Sequence, residues 1–508
     1  MTGQIPGFPA GDSAAAHNLA RQQADAAFTP QPGTPEFDAL LETVTSDPNL
    51  TTGSKFVDTS KLYHVDANYN FGHLMENWGD VMIGGSWRQY SLNSAGTIYT
   101  DYDGPIEYQE YGAFMQVQKK FADERLKFTG SIRYDKAENF DDNVSPRVSL
   151  AYSAGEDRNH NFRGSFQTGF RNPSTQDQYI GLDAGQALLV GSSPENLDRY
   201  TSAPIATTVN QTLISNGVPS FLVDSFGFPS SSTMTGRNGY ENAWTQSSVE
   251  AFVPAFAAAT TPAEQLAAMA LLNSDPVDFV KPEKVTAYEV GYRGLLGKVT
   301  VDFSAYYNQY EDFIGNKVVL APLYGQANLS DSVDLSAIGG SSQQPVALVA
   351  LSNGDFQPFS LYSNSAADVS SYGAGIGLGT KLGGGYNVGL NYTYSKFDFD
   401  QATDPDYEAG FNTPEHKVKV SLGNPNAFKN FGFNINARWN DEYLWQSTFI
   451  DAVVDSRTVI DAQVSYSLPK WKSLFKIGGA NLGGQEYLSA PGNGKIGSQY
   501  FASWTLNP

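Results

Sequence analysis

Residues 281–312, KPEKVTAYEVGYRGLLGKVTVDFSAYYNQYED, alternate with a period of two on both sides of one short break. Thr286, Tyr288, Val290 and Tyr292 share one parity, and Ala287, Glu289, Gly291 and Arg293 share the other. After Gly294-Leu295-Leu296-Gly297 the pattern resumes, with Val299, Val301, Phe303, Ala305 and Tyr307 set against Thr300, Asp302, Ser304, Tyr306 and Asn308. A period of two places the two sets on opposite faces of a strand. The short break joins the strands as an antiparallel hairpin. Length then decides the environment. A strand that crosses a bilayer needs about 9–11 tilted residues, apolar outside and polar inside, and each arm supplies about ten. The segment is predicted to be one hairpin of a transmembrane β-barrel.

The same unit recurs along the chain. Strands are predicted at 62–71, 81–90, 110–121, 125–135, 147–153 and 161–171 before the hairpin. After it they are predicted at 372–382, 386–396, 417–422, 431–439, 459–468, 474–481 and 499–505, about fifteen strands in all. Connections alternate between short turns (122–124, 294–297, 383–385) and long excursions (91–106, 172–280, 315–369). Outer-membrane barrels have this asymmetry, short on the periplasmic side and long outside, whereas a propeller or solenoid spaces its strands evenly. The competing reading is a large soluble all-β protein. Residues 1–60 lack strand periodicity and read as an irregular segment, with helix potential at 14–27 and 35–44; the barrel is assigned to 61–508. The two longest excursions, 172–280 and 315–369, read as loops. Inside the first, 261–273 predicts a helix, with Thr261 as cap, Pro262 in the first turn and Glu264 reaching back.

Composition narrows the function. The 508 residues include 28 Tyr, 31 Phe and 49 Gly but no Cys, so a disulfide framework, a thiolate-bound metal and a thiol nucleophile are excluded. A net charge of −21 argues against a nucleic-acid partner, whose phosphates call for a basic face. No apolar run reaches the roughly 18 residues of a membrane helix. The first ten residues, MTGQIPGFPA, show neither the basic nor the apolar region of a signal peptide, so the expectation is that an export signal lies upstream or has been removed.

Five stretches, in order, resemble the barrel of TonB-dependent outer-membrane receptors in the form common in the Bacteroidetes. Ser131-Ile132-Arg133-Tyr134-Asp135 with Ser145-Pro146-Arg147 is similar to the family's paired strand motif, and Gly169-Phe170-Arg171-Asn172-Pro173 to its strand end. Lys281-Pro282-Glu283 before Tyr288-Glu289-Val290-Gly291-Tyr292, Thr413-Pro414-Glu415-His416-Lys417, and residues 478–487 complete the set. The resemblance implies an antiparallel outer-membrane barrel of about 22 strands with a plugged lumen, of which this chain would supply 15–16. It implies uptake of a scarce nutrient energised by TonB, with a ferric siderophore as the leading ligand and cobalamin or a glycan behind it. Nothing in the chain resembles the plug or the TonB-contacting box. The expectation is therefore the C-terminal part of a barrel, meeting TonB only through a plug it does not contain, with outer-membrane lipid around it. A passive plugless pore and a non-transporting adhesin are the alternatives.

Candidate sites follow from the same pattern. Arg133, Arg147, Arg171, Glu289 and Arg293 fall on the polar parity or at motif-bearing strand ends, where they would line a lumen. In the long loops Tyr179, Tyr200, Tyr240, Trp244 and Tyr324 are candidates for stacking on a ligand's rings, or else for packing the loops themselves. Asp398, Asp400, Asp404 and Asp406 are dense enough in oxygen to suggest Ca²⁺, although the spacing is not that of an EF-hand. Nothing resembles a nucleophile elbow, a P-loop or a zinc signature, so neither catalysis nor any cofactor beyond that Ca²⁺ is expected. Acidic loops disfavour a strongly anionic ligand unless basic residues elsewhere steer it.

Overall fold

The computed structural model describes residues 22–23, 30–50, 52–75, 79–447 and 450–506. Its frame is one fifteen-stranded antiparallel sheet. The first six strands are β1 (Lys61–Asn70), β2 (Asp80–Leu92), β3 (Ile106–Phe121), β4 (Leu126–Ala137), β5 (Asn143–Ala154) and β6 (His160–Arg171). The opening hairpin is β7 (Glu283–Leu296) and β8 (Val299–Glu311). Then come β9 (Val369–Leu382), β10 (Tyr386–Phe399), β11 (His416–Phe428), β12 (Phe431–Asn440), β13 (Arg457–Leu468), β14 (Ser473–Ala480) and β15 (Gln499–Leu506). Each strand pairs with its neighbour in sequence, the arrangement of an up-and-down barrel wall. β1 and β15 end the ladder, and no pairing joins them among the described residues. Among the described residues no helix is long and apolar enough to cross a membrane.

The register realises the alternation. Tyr288 faces Tyr307 and Val290 faces Ala305 on one side, while Glu289 faces Tyr306 and Arg293 faces Asp302 on the other. Across the other seam, Phe166 meets Tyr288 and Phe162 meets Tyr292. Tyr288, Val290, Ile132, Leu150, Val420 and Ile460 are all at least two-fifths exposed, a continuous apolar surface whose natural solvent is lipid. The turns at the end opposite the long loops use residues in the left-handed region: Ala122, Asp123 and Glu124 between β3 and β4, and Lys429 and Asn430 between β11 and β12.

The excursions differ most from expectation. Residues 172–280 and 315–369 are not extended loops; they fold together into a capping subdomain. Ile314–Pro322 and Phe356–Asn364 pair antiparallel, Leu188–Val190 adds to the latter in parallel, and Trp244–Thr245 and Tyr407–Glu408 pair with Ile314–Pro322. Short, separated apolar runs concealed this sheet in the sequence, because each strand is completed only by partners far along the chain. The helix expected at 261–273 is present as Pro262–Met269, with Thr261 and Glu264 forming the reciprocal capping box. Residues 35–46, read as part of an irregular segment, form a helix (Pro35–Ser46) capped by Thr34. The helix considered at 14–27 lies outside the described residues except for 22–23.

Because the apolar face meets lipid, Val290→Arg is expected to destabilise the sheet by about 2–4 kcal/mol. Ser304→Arg, on the polar face, should cost far less. Urea unfolding from detergent or bilayer, followed by tryptophan fluorescence, distinguishes the two faces; equal losses would refute the assignment.

Candidate functional site

The long connections all leave from one end of the sheet, and the cap is fastened there by a small number of buried contacts. Arg171 ends β6 and Glu283 begins β7, as register partners. Arg171 Nη2 donates to Glu283 Oε2 (2.7 Å) and to the Ile314 carbonyl (3.3 Å), and the Ile314 amide donates to the same Glu283 oxygen (3.1 Å). Glu283 is only 8% exposed, so its charge is met by a guanidinium and an amide in place of water. The arrangement ties the exits of both long excursions to one strand pair. A second buried carboxylate, Asp355, accepts from Thr208 N and Oγ1, from Val209 N and from Tyr324 Oη, joining the two halves of the cap.

Beneath the cap, on the polar face of β2–β6, lies a cavity of about 630 Å³. Arg88, Arg133, Glu110, Tyr90, Tyr108 and Asn172 line it. Tyr90 and Tyr108 stack at 4.6 Å with planes 14° apart, and Tyr108 meets Tyr179 at 5.8 Å. Arg133 Nε donates to Asp135 (2.7 Å), and Arg88 stands 4.0 Å from Glu110, so two of the lining cations are paired, while Lys136 donates to the Phe140 carbonyl. Asn172 Nδ2 donates to Glu110 (3.1 Å), while its buried Oδ1 has no partner. The cavity therefore combines a stacked aromatic pair, two ion-paired arginines and a free acceptor, which suits a compact polar ligand carrying rings.

The motif residues are placed as follows. Arg133, Arg147, Glu289 and Arg293 face the polar side, and Arg171 serves as the latch. Glu289 lies 3.7 Å from Arg163, which lies 4.0 Å from Asp302, which in turn lies 3.7 Å from Arg293, forming a row of alternating charges across β6–β8. Half-exposed pairs of this kind contribute about 0–1 kcal/mol each; their effect is to keep that wall polar and near neutral.

The loop aromatics are corrected by burial. Tyr200, Tyr240 and Trp244 are at most 3% exposed and form the core of the cap, where the apolar area they remove from water outweighs what a ligand could offer. Trp244 donates from Nε1 to the Ala327 carbonyl (2.7 Å), and Tyr240 Oη reaches the carbonyls of Val190 and Tyr362. Tyr324 packs beside Phe228 and is held by Asp355. Tyr179 is also buried, yet it sits where cap and cavity meet, accepting from Asn139 Nδ2 (2.8 Å). The four aspartates do not converge. Asp404 is buried against Lys317 (3.2 Å) and Ser365, Asp406 accepts from Ser247 N and Oγ, and Asp400 closes a local turn onto Ala402 N. Asp398 lies within β10 opposite Ser370. Among the described residues no three His, Cys, Asp or Glu side chains are placed to hold a metal ion.

Sequence reasoning missed Arg88, Glu110, Tyr90 and Tyr108, which carry no motif. Glu283 was within reach: it belongs to the Lys281-Pro282-Glu283 stretch, and its partner Arg171 belongs to another flagged motif.

Burial pushes the Tyr362 phenol up to about 12, and it raises Tyr200 and Tyr240 as well. The fold holds the neutral form of each, so their contribution is complete below the ordinary value of 10 and is lost as pH rises through 10 toward 12. Alkaline titration should therefore loosen the cap first. Near-ultraviolet circular dichroism should fall above pH 10 while the far-ultraviolet β signal persists; simultaneous loss of both would contradict this. At neutral pH, Trp244→Ala should destabilise the cap by about 3–5 kcal/mol.

A family model described as TonB-dependent receptor-like, beta-barrel, matches residues 11–482. Among solved structures, the ferric enterobactin receptor of Pseudomonas aeruginosa aligns at TM-score 0.51 and 12% identity, covering 88% of this chain and 53% of its own. The FrpB iron transporter of Neisseria meningitidis aligns at TM-score 0.51 and 11% identity, covering 88% and 55%. The siderophore receptor PirA of Acinetobacter baumannii aligns at 0.50 and 13%, covering 88% and 54%. At these identities the likeness is one of fold. The chain spans about half the length of the structures it matches. No curated protein matches it in sequence.

Proposed function

On the premise that this chain belongs to the TonB-dependent receptor-like β-barrel family, we propose that it forms the ligand-capturing wall of an outer-membrane uptake receptor for an iron–siderophore chelate. The observation that carries the reading is the aromatic, polar cavity of about 630 Å³ directly beneath the cap. It lies on the polar face at the end from which the long connections leave, the end exposed to the medium in a barrel of this kind. A ligand entering there meets Tyr90, whose ring stacks on the buried Tyr108, together with the Asn172 acceptor, Arg88 and Glu110. The solved neighbours named above are, by their own names, receptors or transporters of iron or its chelates, and the fold gives this chain the same kind of wall. Energised passage would be the work of a plug that meets the polar face inside the closed receptor and transmits the pull of TonB.

The test is a binding titration of the detergent-solubilised chain against ferric siderophores, cobalamin and oligosaccharides, read by tryptophan quenching. A ferric siderophore should bind, and Tyr90→Ala together with Arg88→Ala should weaken it by about tenfold or more. Saturable binding of cobalamin or a glycan alone would replace the ligand class. Large steady conductance in planar bilayers without any binding would favour a passive pore instead.

A further inference from the structure

The charge on the polar face is unevenly distributed. On β2–β8 arginines alternate with carboxylates, as described above. On β10–β14 the polar-face positions are mostly Asn, Gln, Ser, Thr and Gly, and the charges among them are almost all positive. Lys417 and Lys419 lie on β11, Arg438 on β12 and Arg457 on β13, all near the strand ends that lead into the long connections. Lys419 and Arg438 are direct register partners, and Asn440 stands between Lys417 and Arg457. Neighbouring strands lie about 4.8 Å apart, so these four cations share one small patch.

Like charges directly opposite on one face destabilise a sheet, and nearby carboxylates do little to relieve them. Arg438 pairs with Asp461 (2.8 Å), whose other oxygen accepts the Asn481 amide (3.1 Å). Arg457 donates to the Leu488 carbonyl (2.8 Å) and lies over the Tyr487 ring. Glu415 lies 3.9 Å from Lys396. Among the described residues, neither Lys417 nor Lys419 has a carboxylate within ion-pair distance. Four cations stand here against one engaged carboxylate, so this part of the inner wall is net positive in a chain of net charge −21. A plug would reach the wall from the turn end; the patch lies at the mouth, where a captured ligand arrives.

We infer that Lys417, Lys419, Arg438 and Arg457 select for a ligand that presents clustered anionic oxygens, so that the chelate taken up is carboxylate-rich and net negative. This rests on the receptor reading above and adds the sign of the ligand's charge. It also supplies the basic steering residues without which the acidic loops would repel such a ligand. Arginine and lysine here are exposed enough to meet a ligand, and the low-dielectric wall around them strengthens the attraction relative to bulk water.

The experiment uses the full chain in detergent with two probes, ferric citrate as the anionic chelate and ferrichrome as a neutral one, each titrated at about 20 and about 300 mM salt. The parent should bind ferric citrate more tightly than ferrichrome, and the added salt should weaken ferric citrate binding. Lys417→Gln with Lys419→Gln leaves the Arg438–Asp461 pair intact and should weaken ferric citrate by about tenfold or more. Lys417→Arg with Lys419→Arg should retain the affinity, and heat-modifiable gel migration confirms that both variants fold. Ferrichrome bound as tightly as ferric citrate, or a glutamine variant that binds ferric citrate like the parent, overturns the charge assignment and leaves the receptor reading standing. Failure of both chelates to bind overturns both.

Discussion

A strand in hydrocarbon has no water to complete its hydrogen bonds, so each N–H and C=O must find a partner on a neighbouring strand. That requirement explains the one unbroken ladder of fifteen strands, each paired with its sequence neighbour. It also explains why strand direction alternates and why all long connections emerge at one end. Once the ladder is fixed, the period of two assigns every side chain either to lipid or to the polar interior, and no freedom remains about which residues line the site. Arg133, Glu289, Arg293 and Lys419 face inward because Ile132, Tyr288, Tyr292 and Val420 face outward.

The cap obeys a different rule. It stands in water, so it needs a core of its own, and it builds one from Trp244, Tyr240, Phe359 and Leu361. Buried carboxylates anchor it: Glu283 to the barrel through Arg171, and Asp355 between its own halves. Such groups are costly to bury and would be costlier still unpaired, so each fixes a specific juncture. The cavity under the cap inherits its shape from both structures, with Tyr108 from a strand, Ser174 and Thr175 from the start of the cap and Asn172 at the hinge between them.

The proposed function would depend on how polarity is distributed around the wall. One part is neutral by pairing, with arginines and carboxylates alternating across β6–β8; another is positive, because β10–β14 bring lysine and arginine together among uncharged neighbours. On the proposed reading, a ligand entering the mouth would meet Tyr90 stacked on Tyr108 on β2–β3 and cations on β11–β13. These would be complementary demands on one molecule, the compact, net-negative chelate proposed above.

The sequence by itself determined the barrel wall. Alternation over about ten residues is a local property, and all fifteen strands, their order and the short turns could be read from it, as could the capping box at Thr261 and Glu264. It also placed Arg133, Glu289 and Arg293 on the polar face. Only the tertiary structure decided the rest. Tyr200, Tyr240 and Trp244 look the same in sequence whether they wait for a ligand or pack a core, because burial depends on partners more than a hundred residues away. Asp404 and Asp406 were separated by Lys317 and Ser247, distant in sequence and close in space. The cavity, the Arg171–Glu283 latch and the basic patch on β11–β13 share the same cause: each is made where residues remote along the chain meet across the ladder, and sequence spacing carries no record of that meeting.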